Sequence, residues 1–159
     1  MSPLNKQQLE QIRDERREEI KQAALKVFAK KGTTGTKMSM IAEEAGVSVG
    51  LAYRYFKSKE ELFQLLVEDL LKDAGDELDA TRALPGTPLE QIRTLTQSMI
   101  DEESRYAFMF IHQVRKADRV PEKVAELLEK NTTSAFYEKL VPIFEKGQKT
   151  GQFREGDAR

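Results

Sequence analysis

Arg54 is the side chain of this sequence that could do the most specific chemistry. Its planar guanidinium suits the hydrogen-bonding edge of guanine and a backbone phosphate equally well, and the two roles stay open. It lies in the segment from Val49 to Phe56. In an α-helix each residue is rotated by about 100° about the axis, so Arg54 lies about 200° from Ala52, on the opposite face. Phe56 lies only about 40° from Ala52, so these two residues face a core. The opposite face is one that a DNA major groove would meet, although a plain helical hairpin has the same pattern.

Enzymatic and metal chemistry finds little support in the composition. The chain has no Cys and one His, His112, which excludes thiolate nucleophiles, zinc fingers and multi-histidine metal sites. No carboxylate pair, glycine-rich phosphate loop or nucleophile constellation is present. We therefore expect no catalytic residue, no metal and no cofactor, and we interpret His112 as a packed or ligand-facing imidazole.

The charge is unevenly distributed along the 159 residues. Residues 1–60 hold 12 Lys and Arg against 8 Asp and Glu, whereas residues 61–159 hold 14 against 19. The basic first third suggests an anionic partner for that part alone, and chance scatter of surface charge explains the excess as well. No apolar run approaches the ~20 residues of a membrane helix and the start does not resemble a signal peptide, so we expect a cytoplasmic protein with no membrane partner.

The elements that would position Arg54 are short helices, and the periodicity predicts an all-α fold. Helices at 36–45 and 49–56, joined by Gly46-Val47-Ser48, form a helix-turn-helix pattern in which Thr36 and Ser48 are the predicted N-caps. An earlier helix with its apolar face from Ile20 to Phe28 stops at Gly32, and residues 6–19 are a solvated helix or a frayed arm. A further helix begins at Ser58, whose spacing from Glu61 matches a capping box.

The remainder is predicted as more helix around one loop at 83–88. The fourth helix covers 59–73, and Phe63 lies at the edge of its apolar face. A helix from Pro88 buries Leu89, Ile92, Leu95, Thr96, Met99 and Ile100. The helix at 105–116 is apolar on all sides and should be buried all round. A long helical stretch runs from Pro121 to about Thr150, and Pro142 either shapes a pocket or begins a new helix there.

The run from Ile41 to Phe63, IAEEAGVSVGLAYRYFKSKEELF, resembles the signature of the tetracycline-repressor (TetR) family, and residues 20–32 resemble its first helix. The resemblance implies an effector-controlled, dimeric transcriptional regulator. It also implies a helix-turn-helix domain at 1–60, followed by an antiparallel helical ligand-binding and dimerisation domain at 61–159. Family members usually continue with two more helices, so we expect that the chain is truncated, or else that it dimerises differently.

The same resemblance implies which residues contact DNA. Tyr53 and Tyr55 match aromatics that contact the backbone and bases, and Lys59 matches a phosphate-binding lysine. Thr36 and Ser39 match first-turn positions near phosphates. Val49 and Leu51 depart from the Lys or Gln and the Thr that are usual there, which leaves them able to pack on thymine methyl groups. The predicted DNA-binding set is Thr36, Ser39, Ser48, Val49, Gly50, Leu51, Tyr53, Arg54, Tyr55 and Lys59.

A small-molecule pocket is predicted from the apolar helix at 105–116 and the stretch at 121–150. Mostly apolar walls with a few polar groups suit an apolar or amphipathic organic effector, and a tightly filled core is the alternative. The predicted lining residues are Met99, Tyr106, Met109, Phe110, Gln113, Phe136 and Tyr137.

The function that these patterns favour is a repressor that binds double-stranded operator DNA as a homodimer and is released by the effector. An enzymatic function is not supported, because the sequence contains no recognisable group of catalytic residues. The other alternative is a helical adaptor that keeps the helix-turn-helix scaffold and binds protein.

Overall fold

The computed structural model describes residues 5–158, with the exception of the Glu103 side chain. Every regular element in that range is an α-helix, as the all-α prediction required. The helices are α1 (Lys6–Gly35), α2 (Met38–Glu44), α3 (Val49–Tyr55), α4 (Lys59–Ala83), α5 (Pro88–Ser98), α6 (Glu102–Lys116), α7 (Glu122–Lys130) and α8 (Thr133–Lys149).

The chain divides into two compact units. The first comprises the residues up to Leu66 together with Tyr106–Arg119, and the second comprises Val67–Arg105 together with the residues from Val120 onward. Helices α4 and α6 therefore contribute residues to both units. The functional division at 1–60 and 61–159 stays a prediction.

Helix α1 begins with a capping box in which the side chains of Asn5 and Gln8 each accept a hydrogen bond from the other's backbone N–H. The polar segment after it is helical, so of the two interpretations of residues 6–19 the solvated helix is correct. Gly32 interrupts the helical backbone with φ 71° and ψ 176°. Glycine adopts a left-handed φ at little cost, and this conformation at Gly32 explains why the sequence predicted that the helix stops there.

Three phenylalanine rings form the centre of the first unit. Phe28 of α1, Phe63 of α4 and Phe110 of α6 have centroid separations of 5.4, 5.9 and 5.4 Å in edge-on or tilted arrangements. Such pairs add about 0.5–1.5 kcal/mol beyond the burial of their area. Phe63 is 1% exposed, so its predicted place at the edge of an apolar face is wrong.

Helix α6 is amphipathic rather than buried all round. Phe110 and Val114 are buried, but Phe108 is 53% exposed and His112 is exposed as well. The prediction counted apolar residues around the helix, and burial depends on which side other helices cover. His112 is therefore not a packed imidazole.

In the second unit, α4 continues ten residues past its predicted end at 73, to Ala83. The predicted loop follows, and Thr87 and Glu90 then form a capping box at the start of α5. The pKa of Glu90 is lowered below its ordinary value by hydrogen bonds with Thr87. The larger effect comes from the bond that the Thr87 backbone N–H donates, and the smaller from the bond with the Thr87 side chain. The predicted apolar face of α5 is largely wrong, because Leu95 is buried while Leu89, Met99 and Ile100 are exposed.

The predicted stretch from Pro121 to Thr150 is two helices. It breaks after α7, and the Thr132 hydroxyl accepts a hydrogen bond from the Ala135 N–H (3.2 Å) to cap α8. Pro142 lies inside α8, so its interpretation as the start of a new helix is wrong. Beyond α8 the chain folds back, and the Phe153 ring packs against Phe144 at 5.5 Å.

No helix of the described residues is long and apolar enough to span a bilayer. Within the same residues, no cluster of His, Asp and Glu side chains has a geometry that would hold a metal ion.

Candidate DNA-binding site

The turn between α2 and α3 is formed by local hydrogen bonds. Gly46 has φ 66°, in the left-handed region, and the Val47 N–H donates to Ala42 O at 2.9 Å. The Ser48 hydroxyl accepts a hydrogen bond from the Leu51 N–H at 3.1 Å and so caps α3. Helix α2 begins at Met38 after Lys37, which makes no side-chain cap, so the predicted start and cap at Thr36 are wrong.

The orientation of α3 is the predicted one. Ala52 and Phe56 are 0% and 1% exposed and face the core of the first unit. The Arg17 guanidinium covers the Phe56 ring at 5.1 Å and supports the end of the helix from α1. Arg54 is exposed on the opposite side. The helix therefore presents its guanidinium to the outside while its inner face anchors it.

The side chains around Arg54 form a mixed apolar and aromatic surface. Val49, Gly50 and Tyr53 are exposed, and Leu51 and Tyr55 are half-buried. Ser39, in the first turn of α2, is exposed, as is the capping residue Ser48. Eight of the ten predicted DNA-binding residues are thus at least partly accessible on or next to α2 and α3: Ser39, Ser48, Val49, Gly50, Leu51, Tyr53, Arg54 and Tyr55.

Thr36 is placed differently from the prediction. It is 0% exposed, and its hydroxyl donates to Gly32 O at 2.7 Å. A buried hydroxyl with its proton committed to a carbonyl does not reach a phosphate. Thr36 therefore stabilises the connection between α1 and α2, and the prediction that it contacts DNA is wrong for this conformation.

Lys59 is half-buried at the first position of α4. Its Nζ donates to Thr33 O at 3.0 Å and to Thr36 O at 2.9 Å. Beside it, Ser58 caps α4 by accepting from the Glu61 N–H. Glu61 accepts from the Lys57 N–H at 2.6 Å, one residue before the position that a capping box would use.

Two exposed cations near the helix-turn-helix were missed from the sequence. Lys37 precedes α2 and Lys57 lies between α3 and α4, and both are exposed. Exposed Glu43, Glu44 and Glu60 accompany them, so the surface carries both signs of charge. A basic residue directly flanking a predicted short helix was the signal that could have identified the two lysines.

The predicted effector-binding residues do not line one cavity within a single unit. Tyr106, Met109, Phe110 and Gln113 belong to the first unit, whereas Met99, Phe136 and Tyr137 belong to the second. Phe110 is 0% exposed inside the phenylalanine cluster, which is the filled-core alternative and corrects the prediction for this residue.

Two more of these residues pack on α1. The Tyr106 ring lies 5.7 Å from the Lys26 ammonium and 5.5 Å from the Lys30 ammonium. The Gln113 side-chain amide donates to Ala29 O at 3.4 Å. Met109 is half-buried in the same unit.

The second unit has an open groove of about 610 Å³ along α8 and the returning tail. Of the predicted residues it includes Tyr137, which is exposed, but neither Met99 nor Phe136. Its other walls are both apolar and polar: Leu140, Phe144, Gln148, Gln152, Phe153, Arg154, Asp157 and Ala158.

Residues 20–66 match the model of the bacterial regulatory proteins of the tetR family. Over this region the chain is similar to the TetR family. The match covers α2, α3 and the start of α4, which are the elements that build the site described above. The resemblance to the TetR family that the sequence motif indicated is thereby confirmed for residues 20–66.

Two curated HTH-type transcriptional regulators align with part of the chain. It is 40% identical over 80 residues to the HTH-type transcriptional regulator BetI of Rhizobium meliloti, covering 50% of this chain and 39% of the relative. It is 34% identical over 102 residues to the HTH-type transcriptional regulator AcrR of Shigella flexneri, covering 61% and 47%. The chain thus spans less than half the length of these relatives.

The structural likeness to known proteins extends beyond the aligned segment. A transcriptional regulator from Saccharomonospora viridis, solved in complex with choline, superimposes with a TM-score of 0.69 at 23% identity. The superposition covers 91% of this chain and 76% of that one. At this identity the likeness establishes the all-helical architecture and nothing further.

Proposed function

We propose that this chain acts as a transcriptional regulator that reads operator DNA with α3. The observation that carries the proposal is the outward Arg54 on a short capped helix whose other face is buried. A guanidinium presented in this way donates two hydrogen bonds to guanine O6 and N7, while Val49 and Leu51 pack on thymine methyl groups. Ser39, Ser48, Tyr53 and Tyr55 complete the contact surface, and Lys37 and Lys57 add phosphate contacts.

Selection from a randomised duplex pool tests this proposal. We expect Arg54→Ala to relax the base preference at one position and to cost roughly 1–3 kcal/mol there. Arg93→Ala removes an exposed arginine of α5 and should leave the selected sequence unchanged. The affinity for duplex DNA should fall steeply as the salt concentration rises. In a plot of log affinity against log salt concentration, each phosphate contact should make the slope more negative by about 0.9. Selection of no preferred sequence, together with a shallow salt dependence, would favour the helical adaptor instead.

A second copy of the chain is part of this proposal. One helix-turn-helix contacts too few base pairs for specificity in a genome, and a two-fold dimer doubles the site. The expected separation of the two recognition helices is about 34–36 Å, one turn of DNA, or somewhat more. The stretch at 121–150 supplies the dimer surface in this proposal.

The proposed effector is a small apolar or amphipathic organic molecule. The choline complex of the Saccharomonospora viridis regulator supports a small organic ligand, and the groove along α8 has a volume typical of such sites. Binding would favour a conformation that does not fit the operator, and DNA must then weaken effector binding by the same factor. In this proposal the regulator is a cytoplasmic repressor.

Screening organic compounds for release of the DNA complex tests the effector. Tyr137→Ala and Phe144→Leu alter the groove wall and should weaken a releasing compound by about tenfold while DNA affinity is retained. Met99→Ala changes an exposed residue that does not line the groove and should leave the potency unchanged. Equal potency against all three variants would place the effector elsewhere.

A further inference from the structure

The regular part of α1, which stops at Gly32, ends beside the last turn of α6 in the first unit. The Gln113 side-chain amide donates to Ala29 O at 3.4 Å, and the Gln113 Oε1 lies 3.5 Å from the position that a Cβ on Gly32 would take. About one turn earlier in each helix, Phe28 and Phe110 pack with ring centroids 5.9 Å apart. The two helices therefore end at the same corner of the unit.

The chain segments at this corner are rich in basic residues. Residues 30–37 and 112–119 together hold six Lys and Arg against one acidic residue, Asp118. All six belong to the first unit and are exposed. They form the basic corner: Lys30, Lys31, Lys37, Arg115, Lys116 and Arg119.

Carboxylates do not neutralise the basic corner in the way that they neutralise the start of α1. Three basic side chains at that start pair with glutamates at 4.0, 2.8 and 3.7 Å, namely Lys6, Arg16 and Arg17. Within the described residues, neither Lys31 nor Lys116 forms an ion pair. The Lys30 ammonium lies 5.5 Å from the centroid of the Tyr106 ring, a neutral partner that leaves the positive charge in place.

Compensation of helix dipoles explains only part of the basic corner. A cation in the last turn of a helix offsets the partial negative charge there, which is one role that Lys31 and Lys116 could have. Lys37, however, directly precedes the first residue of α2, where a cation opposes the partial positive charge of a helix N-terminus. Arg119 lies beyond the end of α6. These two positions favour an anionic partner.

The basic corner borders the DNA-binding site. The Thr36 hydroxyl donates to Gly32 O at 2.7 Å and fixes the short connection from the end of α1 to Lys37. The Lys37 carbonyl accepts from two N–H groups in the first turn of α2, and the same turn carries the exposed Ser39. The basic corner is thus continuous with the surface on which the proposed DNA contacts lie.

We infer that the basic corner binds the sugar–phosphate backbone of the operator beside the segment that α3 reads. This inference rests on the proposed function, because it needs a duplex held by the helix-turn-helix. It adds the end of α6, an element outside the helix-turn-helix, to the DNA-binding surface. Side chains that neutralise phosphates raise the affinity for all sequences alike and make it depend on salt.

The first test is the salt dependence of duplex binding by the double variant Lys31→Gln with Lys116→Gln. Its affinity for the selected duplex and for unrelated duplexes should fall to the same extent. The slope of log affinity against log salt concentration should become less negative by about 1.8, which is about 0.9 for each lost phosphate contact.

The matched control is the double variant Lys146→Gln with Lys149→Gln. These two exposed lysines lie in the last turn of α8, so the control removes the same charge and the same dipole compensation from the second unit. It should keep the wild-type slope. A wild-type slope in the variant of the basic corner, or an equal change in the control, overturns the inference.

The second test locates the contact and remains available if the glutamine variant does not fold. The chain contains no Cys, so Lys116→Cys carries a single iron chelate that cleaves any DNA backbone close to it. We expect cleavage beside the selected sequence from Lys116→Cys and none from Lys149→Cys. Absence of cleavage from Lys116→Cys overturns the inference.

The two tests separate a failure of the inference from a failure of the proposed function. A wild-type chain that binds no duplex refutes the proposed function, and the inference falls with it. A chain that selects a sequence through Arg54, but whose variants at Lys31 and Lys116 keep the wild-type slope, retains the proposed function and overturns the inference alone.

Discussion

Phe110 shows at the residue scale how surroundings decide a role. Its ring is 0% exposed between Phe28 and Phe63, so it fills a core in the first unit. Two residues away on the same helix, Phe108 is 53% exposed. The two phenylalanines are chemically identical and differ only in what covers them.

Phe110→Ala should therefore lower the free energy of unfolding by about 3–5 kcal/mol, the usual cost of a buried phenylalanine. Urea denaturation measures it. Phe108→Ala, the control on the solvent side of α6, should stay within about 0.5 kcal/mol of the wild type. Similar losses in both variants would show that Phe110 is not buried in a packed cluster.

At the element scale, the end of α8 depends on a glycine. Gly147 is buried, and its carbonyl accepts from the N–H groups of Gln152 and Phe153 at 2.8 and 3.1 Å. A Cβ added to Gly147 would overlap the Phe153 ring. The tail beyond α8 can fold back only because this position carries no side chain.

Gly147→Ala should displace the Phe153 ring and destabilise the returning tail by roughly 1–3 kcal/mol. Hydrogen exchange at the Gln152 and Phe153 amides reports the loss directly. Gly75→Ala, also at a helical glycine, places a Cβ at ordinary contact distance from the Lys139 Nζ. It should be neutral or stabilising by up to about 1 kcal/mol. Wild-type exchange in Gly147→Ala would contradict the packing of the tail.

At the scale of the whole molecule, we predict a homodimer, as operator reading by two recognition helices requires. Sedimentation at high micromolar concentration should show two chains per particle. A strictly monomeric species, measured on the full-length protein, would contradict the dimer. A negative charge introduced at exposed Tyr137 of α8, Tyr137→Asp, should shift the equilibrium towards monomer, whereas the same charge at exposed Phe108 of α6, Phe108→Asp, should not.

The sequence by itself determined the features that short-range interactions control. Helical hydrogen bonds connect residues four apart, so periodicity and caps predicted most of the helices, the break at Gly32 and the turn at Gly46. The inward face of α3 followed from the same local geometry. The TetR-family resemblance rested on this segment too, and the family match to residues 20–66 agrees with it.

Only the tertiary structure decided which of several apolar or polar side chains met a partner far along the chain. Lys59 reaches carbonyls 26 and 23 residues away, and Thr36 is buried by neighbours that no local pattern specifies. The exposure of Leu89 in α5 and of Ile100 just after it has the same cause, because an apolar residue is buried only where another element covers it. Periodicity predicts that a helix has an apolar face, whereas the packing of other helices determines how much of that face is buried.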